Sequence, residues 1–248
     1  MKLTQPIVVF LPDTRDVEIS RYGFGNLKLG MGVFTYSRLA GNPALQSRGP
    51  LPYSDFISTN PGGTCPGSTP ECERVCYAKR IGGPVRDVYV LNAVAEVPPI
   101  PEPCRVLRLH VSGDFDTIRY IRNWIIRLRE RPDVTCWAYT RSWRVKELLP
   151  WLETMRELPN VQLFASMDGS HLDEPPAGWR RAWLDGDQRA GVPVDVTAHN
   201  EVGQQRLSTT YDEVSSYVCP EETGHKKDCL DCGYCFEGKT NDVTFLRH

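Results

Sequence analysis

No stretch of this 248-residue sequence is apolar for long enough to cross a membrane as a helix. Near the start, MKLTQPIVVFLPDTRD offers an apolar run of only five residues, stopped by Pro12 and then by charge. That is too short for a secretory signal or an anchor. An excess of charge of one sign is missing too. With 29 Lys and Arg against 31 Asp and Glu, the formal net charge is −2, so only a local patch would favour nucleic acid. There is no Gly-x-Ser-x-Gly elbow and no internal repeat beyond a strand–helix rhythm. Neither esterase chemistry nor ordinary nucleotide hydrolysis is expected. The length suits one large α/β domain or two small ones, with a core that needs no disulfide. These features predict a cytoplasmic location.

Against those absences stand nine cysteines, an odd number. In a reducing compartment they are thiols, and clustered thiols usually bind metal. Cys104 and Cys136 lie alone in apolar segments, PCRVLRLHV and VTCWAY, and read as small buried hydrophobes. The other seven form two groups. CPGSTPECERVCYAKR, residues 65 to 80, carries Cys65, Cys72 and Cys76, with two prolines and a glycine that read as loop. CPEETGHKKDCLDCGYC carries Cys219, Cys229, Cys232 and Cys235.

The remainder alternates between strand and helix. Runs at 30–39 (GMGVFTYSRL), 105–111, 134–140 and 161–167 read as strands. Residues 192–199 and 213–218 add two more. Between them, 87–97 reads as a helix ended by Pro98 and Pro99, followed by the Pro-rich connector VPPIPEP. Residues 116–131 put Ile118, Ile121, Ile125 and Leu128 on one helical stripe, with Asp116 as the expected N-cap. Residues 144–158 place Val145, Leu148, Leu152 and Met155 on one face, with a kink expected at Pro150. A weaker helix is expected over 176–191, where Trp179, Arg180, Arg181 and Trp183 fit an amphipathic face better than a nucleic-acid patch. Strand, helix, strand at intervals of roughly thirty residues is the signature of a parallel sheet.

Each strand runs into polar residues: His110, Ser112, Gly113 and Asp114; then Thr140, Arg141 and Ser142; then Ser166 and Asp168; then His199, Asn200 and Glu201; then Cys219. A single such end is a turn or a helix cap. A succession of them predicts the C-terminal rim of an α/β barrel, where active sites sit. The three-cysteine loop lies between an early strand and its helix, on the same rim.

A closed zinc or iron–sulfur site uses four protein ligands. Three cysteines in one loop leave a position open, or else form a zinc site completed by a nearby His or a distant Cys. An open iron is the arrangement of radical S-adenosylmethionine (SAM) enzymes, in which SAM occupies it through its amine and carboxylate. CPGSTPECERVCYA resembles the Cys-x6-Cys-x2-3-Cys-Tyr-Ala loop of phage and bacterial proteins of the gene-product-88 family. LHVSGDF, AYTRSW, FASMD and CPEETGHKKDCLDCGYCF carry the same resemblance. A similar loop occurs in a second phage family distantly related to radical SAM enzymes.

The resemblance implies a partial TIM-like (βα) barrel of the radical SAM type over residues 1–212. On it would pack a C-terminal four-cysteine module, 213–248. It implies a 4Fe-4S cluster on Cys65, Cys72 and Cys76, with SAM bound by Tyr77, Ser112, Gly113, Asp114, Thr140, Ser166 and His199. The open iron position predicts reductive cleavage of SAM to a 5′-deoxyadenosyl radical that modifies an unidentified substrate, fed by a flavodoxin or ferredoxin. The chain departs from the common Cys-x3-Cys-x2-Cys spacing, has Val75 where an aromatic usually precedes the last cysteine, and has Ser112-Gly113-Asp114 in place of a Gly-Gly-Glu run. Tyr77 would lie on the adenine or pack as a core aromatic. Cys219, Cys229, Cys232 and Cys235 form a complete ligand set for a second 4Fe-4S cluster or for zinc. The alternative is a non-catalytic metal-binding protein, structural or nucleic-acid-associated.

Overall fold

The computed structural model describes residues 21–44, 63–169, 173–184, 206–207, 216–238 and 241–246. They form a mixed α/β fold around one sheet. In chain order the elements are β1 (Gly23–Phe24), β2 (Val33–Tyr36), α1 (Pro70–Val75), α2 (Gly83–Val94), β3 (Val106–Leu109) and α3 (Ile118–Glu130). Then come β4 (Thr135–Thr140), α4 (Leu149–Arg156), β5 (Val161–Ser166), β6 (Arg180–Leu184), β7 (Arg206–Leu207), β8 (Ser216–Val218), α5 (Cys229–Cys232) and β9 (Val243–Phe245).

The sheet order is β1-β2-β3-β4-β5-β6-β9-β8-β7. β2, β3, β4, β5, β6, β9 and β8 are mutually parallel, and β1 and β7 are antiparallel edges. Among the described residues the sheet is open. From β2 to β6 the strands are laid side by side in sequence order, without reversal. Right-handed crossovers in one direction place their helices on one face. The core agrees: Tyr36, Leu107, Leu109, Ala138 and Leu163 pack against Ile121, Trp124 and Leu128 of α3 and Leu152 and Met155 of α4. Cys104 and Cys136 are buried in this layer.

The opposite face is filled by the C-terminal segment. Phe236 packs on Trp137, ring centroids 5.1 Å apart, beside Leu29 and Val33. Cys219, Phe164, Ala182 and Val243 form a second cluster there. The segment also enters the sheet itself, through β8 and β9.

Several local expectations change. The N-cap of α3 is Thr117, whose side chain accepts from Tyr120 N; Asp116 is instead the ion-pair partner of Arg38. Pro150 lies in the first turn of α4, where a missing N–H costs nothing, so it starts that helix and does not kink it. Residues 180–184, expected as helix, are a parallel strand between β5 and β9. Gly178 and the prolines before it prevent a helix from nucleating, and pairing with Phe164–Ser166 satisfies the backbone. The three-cysteine loop contains a short helix, α1, capped by Thr69 with Pro70 next. The strand expected at 192–199, with His199, lies outside the described residues. GYCFEGKT, 233–240, matches the spelling of a phosphate-binding loop. Gly233 follows a helix and β9 comes after, the reverse of the strand–loop–helix order such a loop requires.

Candidate functional site

The ends of β2, β3, β4 and β5 are tied into one network. Arg38 N donates to Ser112 O at 2.8 Å, and Ser112 Oγ returns to Arg38 O at 2.8 Å. Gly113, at φ 80°, sits so close to Arg38 that an added Cβ would stand 2.8 Å from its carbonyl oxygen and 2.7 Å from Thr64 Oγ1. Only glycine fits there. Asp114 is buried, and its carboxylate accepts from Thr140 Oγ1 (2.6 Å), Arg141 N (2.8 Å) and Phe115 N (2.7 Å). Arg141 in turn donates to Ser166 Oγ (2.9 Å), Asp168 Oδ2 (3.3 Å) and Met167 O (3.3 Å).

The three-cysteine loop is fastened to this network at both ends. Thr64 N and Oγ1 both donate to Leu39 O, and Thr64 Oγ1 accepts from Asp114 N at 3.3 Å. Cys65 N donates to Gly41 O at 2.9 Å. Farther along, Thr69 Oγ1 accepts from Cys72 N (3.1 Å) and donates to Asp168 Oδ2 (2.9 Å). The helix carrying Cys72 is therefore capped by a residue held from β5. Gly67 lies directly on the Arg141 carbonyl.

Cys65, Cys72 and Cys76 stand near enough to influence one another electrostatically. Burial pushes the Cys65 thiol well up, and the Asp114 carboxylate beside it adds to that. Burial also raises Cys72, opposed by Arg141. Tyr77 is 58% exposed and donates to Val111 O at 2.8 Å, so it lies over the rim and is not a core aromatic. His110 is the one non-glycine residue at positive φ among those described, at 62°. Its ring is sealed against Phe115, with Nε2 2.9 Å from the Tyr120 hydroxyl. Burial, assisted by Arg38, holds it well below the usual histidine range.

Thus the rim gathers Cys65, Cys72, Cys76, Tyr77, Ser112, Gly113, Asp114, Thr140 and Ser166. The Ser112 hydroxyl and both Asp114 oxygens are engaged within the protein. Thr64 and Thr69 are network members that the sequence reading did not place on the rim; Arg141 and Asp168 were named there as strand ends but given no role in binding. For Thr69 a signal existed: a threonine directly before proline and glutamate marks a helix start.

Burial pushes the Asp114 carboxyl up to about 6. A folded value above the ordinary ~3.9 means that ionisation costs the folded state. This contribution favours the fold below about pH 4 and is lost as pH rises through 6, a swing of about 3 kcal/mol. His110 acts oppositely, weakening the fold as pH drops below its ordinary value. Comparison with Asp114→Asn cancels the histidine. Between pH 7 and 4 the stability difference should move in favour of wild type by that amount, measured by denaturant unfolding. A difference independent of pH would show that Asp114 titrates normally.

The second cysteine group occupies the other face of the sheet. Asp228 caps α5, Gly233 closes it in the left-handed conformation, and Cys229 N donates to Lys28 O at 2.8 Å. Cys219 N donates to Thr244 O at 2.8 Å. Tyr139, from the middle of the sheet, donates to Cys235 Sγ at 2.9 Å. Cys229 interacts electrostatically with Cys235 and Cys219, and Cys235 with Cys232. Burial raises the Cys229 thiol to about 12 and Cys219 to about 11.

Two guanidiniums face these thiols. Arg180 is buried over Phe164 and Tyr234, donating to Asn241 O (2.8 Å) and Tyr234 O (3.2 Å). Its foremost electrostatic partner is Cys235, with Asp242 also near. Arg108 lies over the Tyr139 ring, its buried Nε without a hydrogen-bond partner, and acts on Cys229 and Cys235. A buried cation is costly without an opposing charge. Asp242 supplies one beside Arg180; thiolates would add to it, and neutral thiols do not.

Among the described residues, no three His, Cys, Asp or Glu side chains stand close enough to hold a single metal ion. One zinc would draw its thiolates to within about 4 Å of each other. An iron–sulfur cubane spaces them more widely. The donor sets are all sulfur, the chemistry a metal–thiolate centre would need, and Arg141, Arg108 and Arg180 stand beside them.

The family model described as Gene product 88 matches residues 98–238. The chain belongs to the Gene product 88 family. That match takes in the polar strand ends and all four C-terminal cysteines, and it begins after the three-cysteine loop. Gene 88 protein of Mycobacterium phage L5 is 28% identical over 75% of this chain and 83% of its own length. Gene 88 protein of Mycobacterium phage D29 is 23% identical over 74% and 82%. Neither relative of this Gene product 88 chain is named for an activity. No solved structure matches the chain.

Proposed function

We propose that this chain is an iron–sulfur protein of the radical SAM type, built on a partial α/β barrel, that cleaves SAM reductively and modifies an unidentified substrate. The observation that carries this reading is the clamping of a three-thiol loop onto a polar rim. Cys65, Cys72 and Cys76 share one loop whose ends are fixed by Thr64 on Asp114 and by Thr69 on Asp168. The unreversed order β2 to β6, with the loop between the first parallel strand and its helix, is what such a barrel requires.

These three thiolates would hold a 4Fe-4S cluster, which would supply the single electron that reductive cleavage of SAM to methionine and a 5′-deoxyadenosyl radical requires. The chain's own residues orient and enclose. Asp114 and Thr140 fix the rim, Gly113 allows close backbone approach, Arg141 brings positive charge beside Cys72, and Tyr77 covers the loop's outer edge. Cys219, Cys229, Cys232 and Cys235 would hold a second 4Fe-4S cluster or zinc. A flavodoxin or ferredoxin in the cytoplasm would supply the electron.

The test is anaerobic reconstitution with iron and sulfide, reduction by dithionite, and assay for 5′-deoxyadenosine. Wild type should form it slowly without substrate. Cys76→Ala should abolish it, and Cys232→Ala should leave some. Reconstituted protein that neither binds SAM nor forms 5′-deoxyadenosine would refute the reading. One observation favours a second: the sheet face that a barrel enzyme would keep open is filled by the C-terminal segment. That suits a non-catalytic metal-binding protein. Colourless protein with stoichiometric zinc would establish it.

A further inference from the structure

Arg144 ends the turn Ser142–Arg144 that follows β4, and its side chain is 9% exposed. Nη1 donates to Ser166 O at 3.3 Å, and the guanidinium lies 4.5 Å from the centre of the Trp143 ring. Its other two donor nitrogens, Nε and Nη2, are buried and have no hydrogen-bond partner. They form one edge of a planar fork, two parallel N–H donors at the spacing of a carboxylate's two oxygens. The indole Nε1 of Trp143 beneath is also buried without a partner. Buried donors are normally satisfied, and a cluster of orphans points to a missing acceptor.

The groups around the fork narrow the choice. Asp173 is ion-paired with the fork, its Oδ2 3.7 Å from Nε, too long for a hydrogen bond, and its side chain is 62% exposed. Asp168 also acts on Arg144, but its carboxylate already accepts from Thr69 and Arg141. Arg141 adds a second positive charge close by, and Cys72 of the three-thiol loop is within electrostatic reach.

We propose that the Nε/Nη2 edge of Arg144 is a carboxylate-binding site for the ligand held at the three-thiol loop, in which the incoming carboxylate takes the place of Asp173. The inference rests on the SAM reading and deepens it by assigning Arg144 to the methionyl carboxylate. The requirement is a bidentate acceptor, so lysine is a poor substitute for arginine here.

The test is calorimetric titration of anaerobically reconstituted protein with SAM and with decarboxylated SAM. Wild type, Arg144→Gln, Arg144→Lys and Asp173→Asn are compared. Arg144→Gln should weaken SAM at least tenfold and leave decarboxylated SAM unchanged, with the iron content of wild type. Arg144→Lys should recover only part of the loss, and Asp173→Asn should bind SAM as well as wild type or better. If Arg144→Gln and Arg144→Lys both bind SAM as wild type does, the site is wrong and the SAM reading stands. If Asp173→Asn loses as much as Arg144→Gln, Asp173 is the fork's own partner and the inference is overturned. If wild type binds neither compound, the SAM reading fails, and titration with acetate followed by tryptophan fluorescence decides the site alone. Saturable quenching lost in Arg144→Gln sustains it, and no quenching overturns it. A variant that fails to fold leaves the remaining two to decide.

Discussion

Single replacement of Cys219, Cys229, Cys232 or Cys235 by alanine is expected to unfold one face of the sheet as well as release metal. The C-terminal segment is the second layer of this fold. Phe236 covers Trp137, Cys219 joins the Phe164 and Val243 cluster, and the segment ends in β9, which pairs with β6 and β8. α5 has four residues, far too few to be stable as an isolated helix. Its backbone docks through Cys229 N on Lys28 O and Leu230 N on Leu29 O. On the proposed metal-site reading, bound thiolates supply negative charge facing Arg108 and Arg180, and the metal's binding energy is folding energy. Losing one ligand leaves the guanidiniums less compensated as well. We expect a loss of about 4 kcal/mol or more, which for a chain of this size lowers the melting temperature by roughly 8–16 °C. A chelator that strips wild type should lower it similarly. Cys104→Ala and Cys136→Ala, in the helix-side core, should cost only about 1 kcal/mol and no metal. Wild-type iron content and unchanged melting in all four variants would dismiss the site.

The parts of this fold that were legible in the sequence are those where burial is two-sided. β3, β4 and β5 are covered on both faces, so they read as largely apolar runs, interrupted inside by Arg108 in β3 and Gln162 in β5. The stripe Ile121, Ile125 and Leu128 is legible because α3 has one wet face. β6 was not legible. In Arg180-Arg181-Ala182-Trp183-Leu184 a guanidinium occupies an inward position, because Phe164, Tyr234 and the nearby thiols provide a place for it. No pattern of hydrophobicity announces that. The two thiol groups were legible from spacing alone. The Thr69–Asp168–Arg141 link was not, since it joins residues up to 99 apart through contacts that only the sheet order creates. The placement of the four-cysteine segment on the inner face was equally hidden. It depends on Tyr139 and Trp137 pointing away from the helices, a consequence of strand register.

That register also sets up the sharpest single-residue expectation, Gly67→Ala. Gly67 is buried two positions after Cys65, in a loop that passes against the end of β4. A Cβ added there would stand 2.1 Å from Arg141 O, 2.5 Å from Arg141 C and 2.9 Å from Ser142 N. All three are backbone atoms, and they cannot yield. Arg141 N is bonded to Asp114, its guanidinium to Ser166 and Asp168, and its carbonyl accepts from Arg144 N. The loop must therefore lift away from the rim, carrying Cys65 with it. The cost should reach about 3 kcal/mol, the upper part of the range for forced overpacking. The lesion is local, so the C-terminal group should keep its metal while the rim group loses it. Reconstituted Gly67→Ala should then carry about half the wild-type iron where the C-terminal site holds a second cluster, and almost none where it holds zinc. Without any metal, Cys65, Cys72 and Cys76 should react faster with a thiol reagent than in wild type, at sites identified by peptide mapping. Gly82→Ala is the matched control, because an added Cβ at Gly82 meets nothing within 4 Å; it should change neither quantity. Gly67→Ala with wild-type thiol reactivity and full iron would mean that the loop does not rest on Arg141. The clamp that carries the functional reading would then have lost its middle contact.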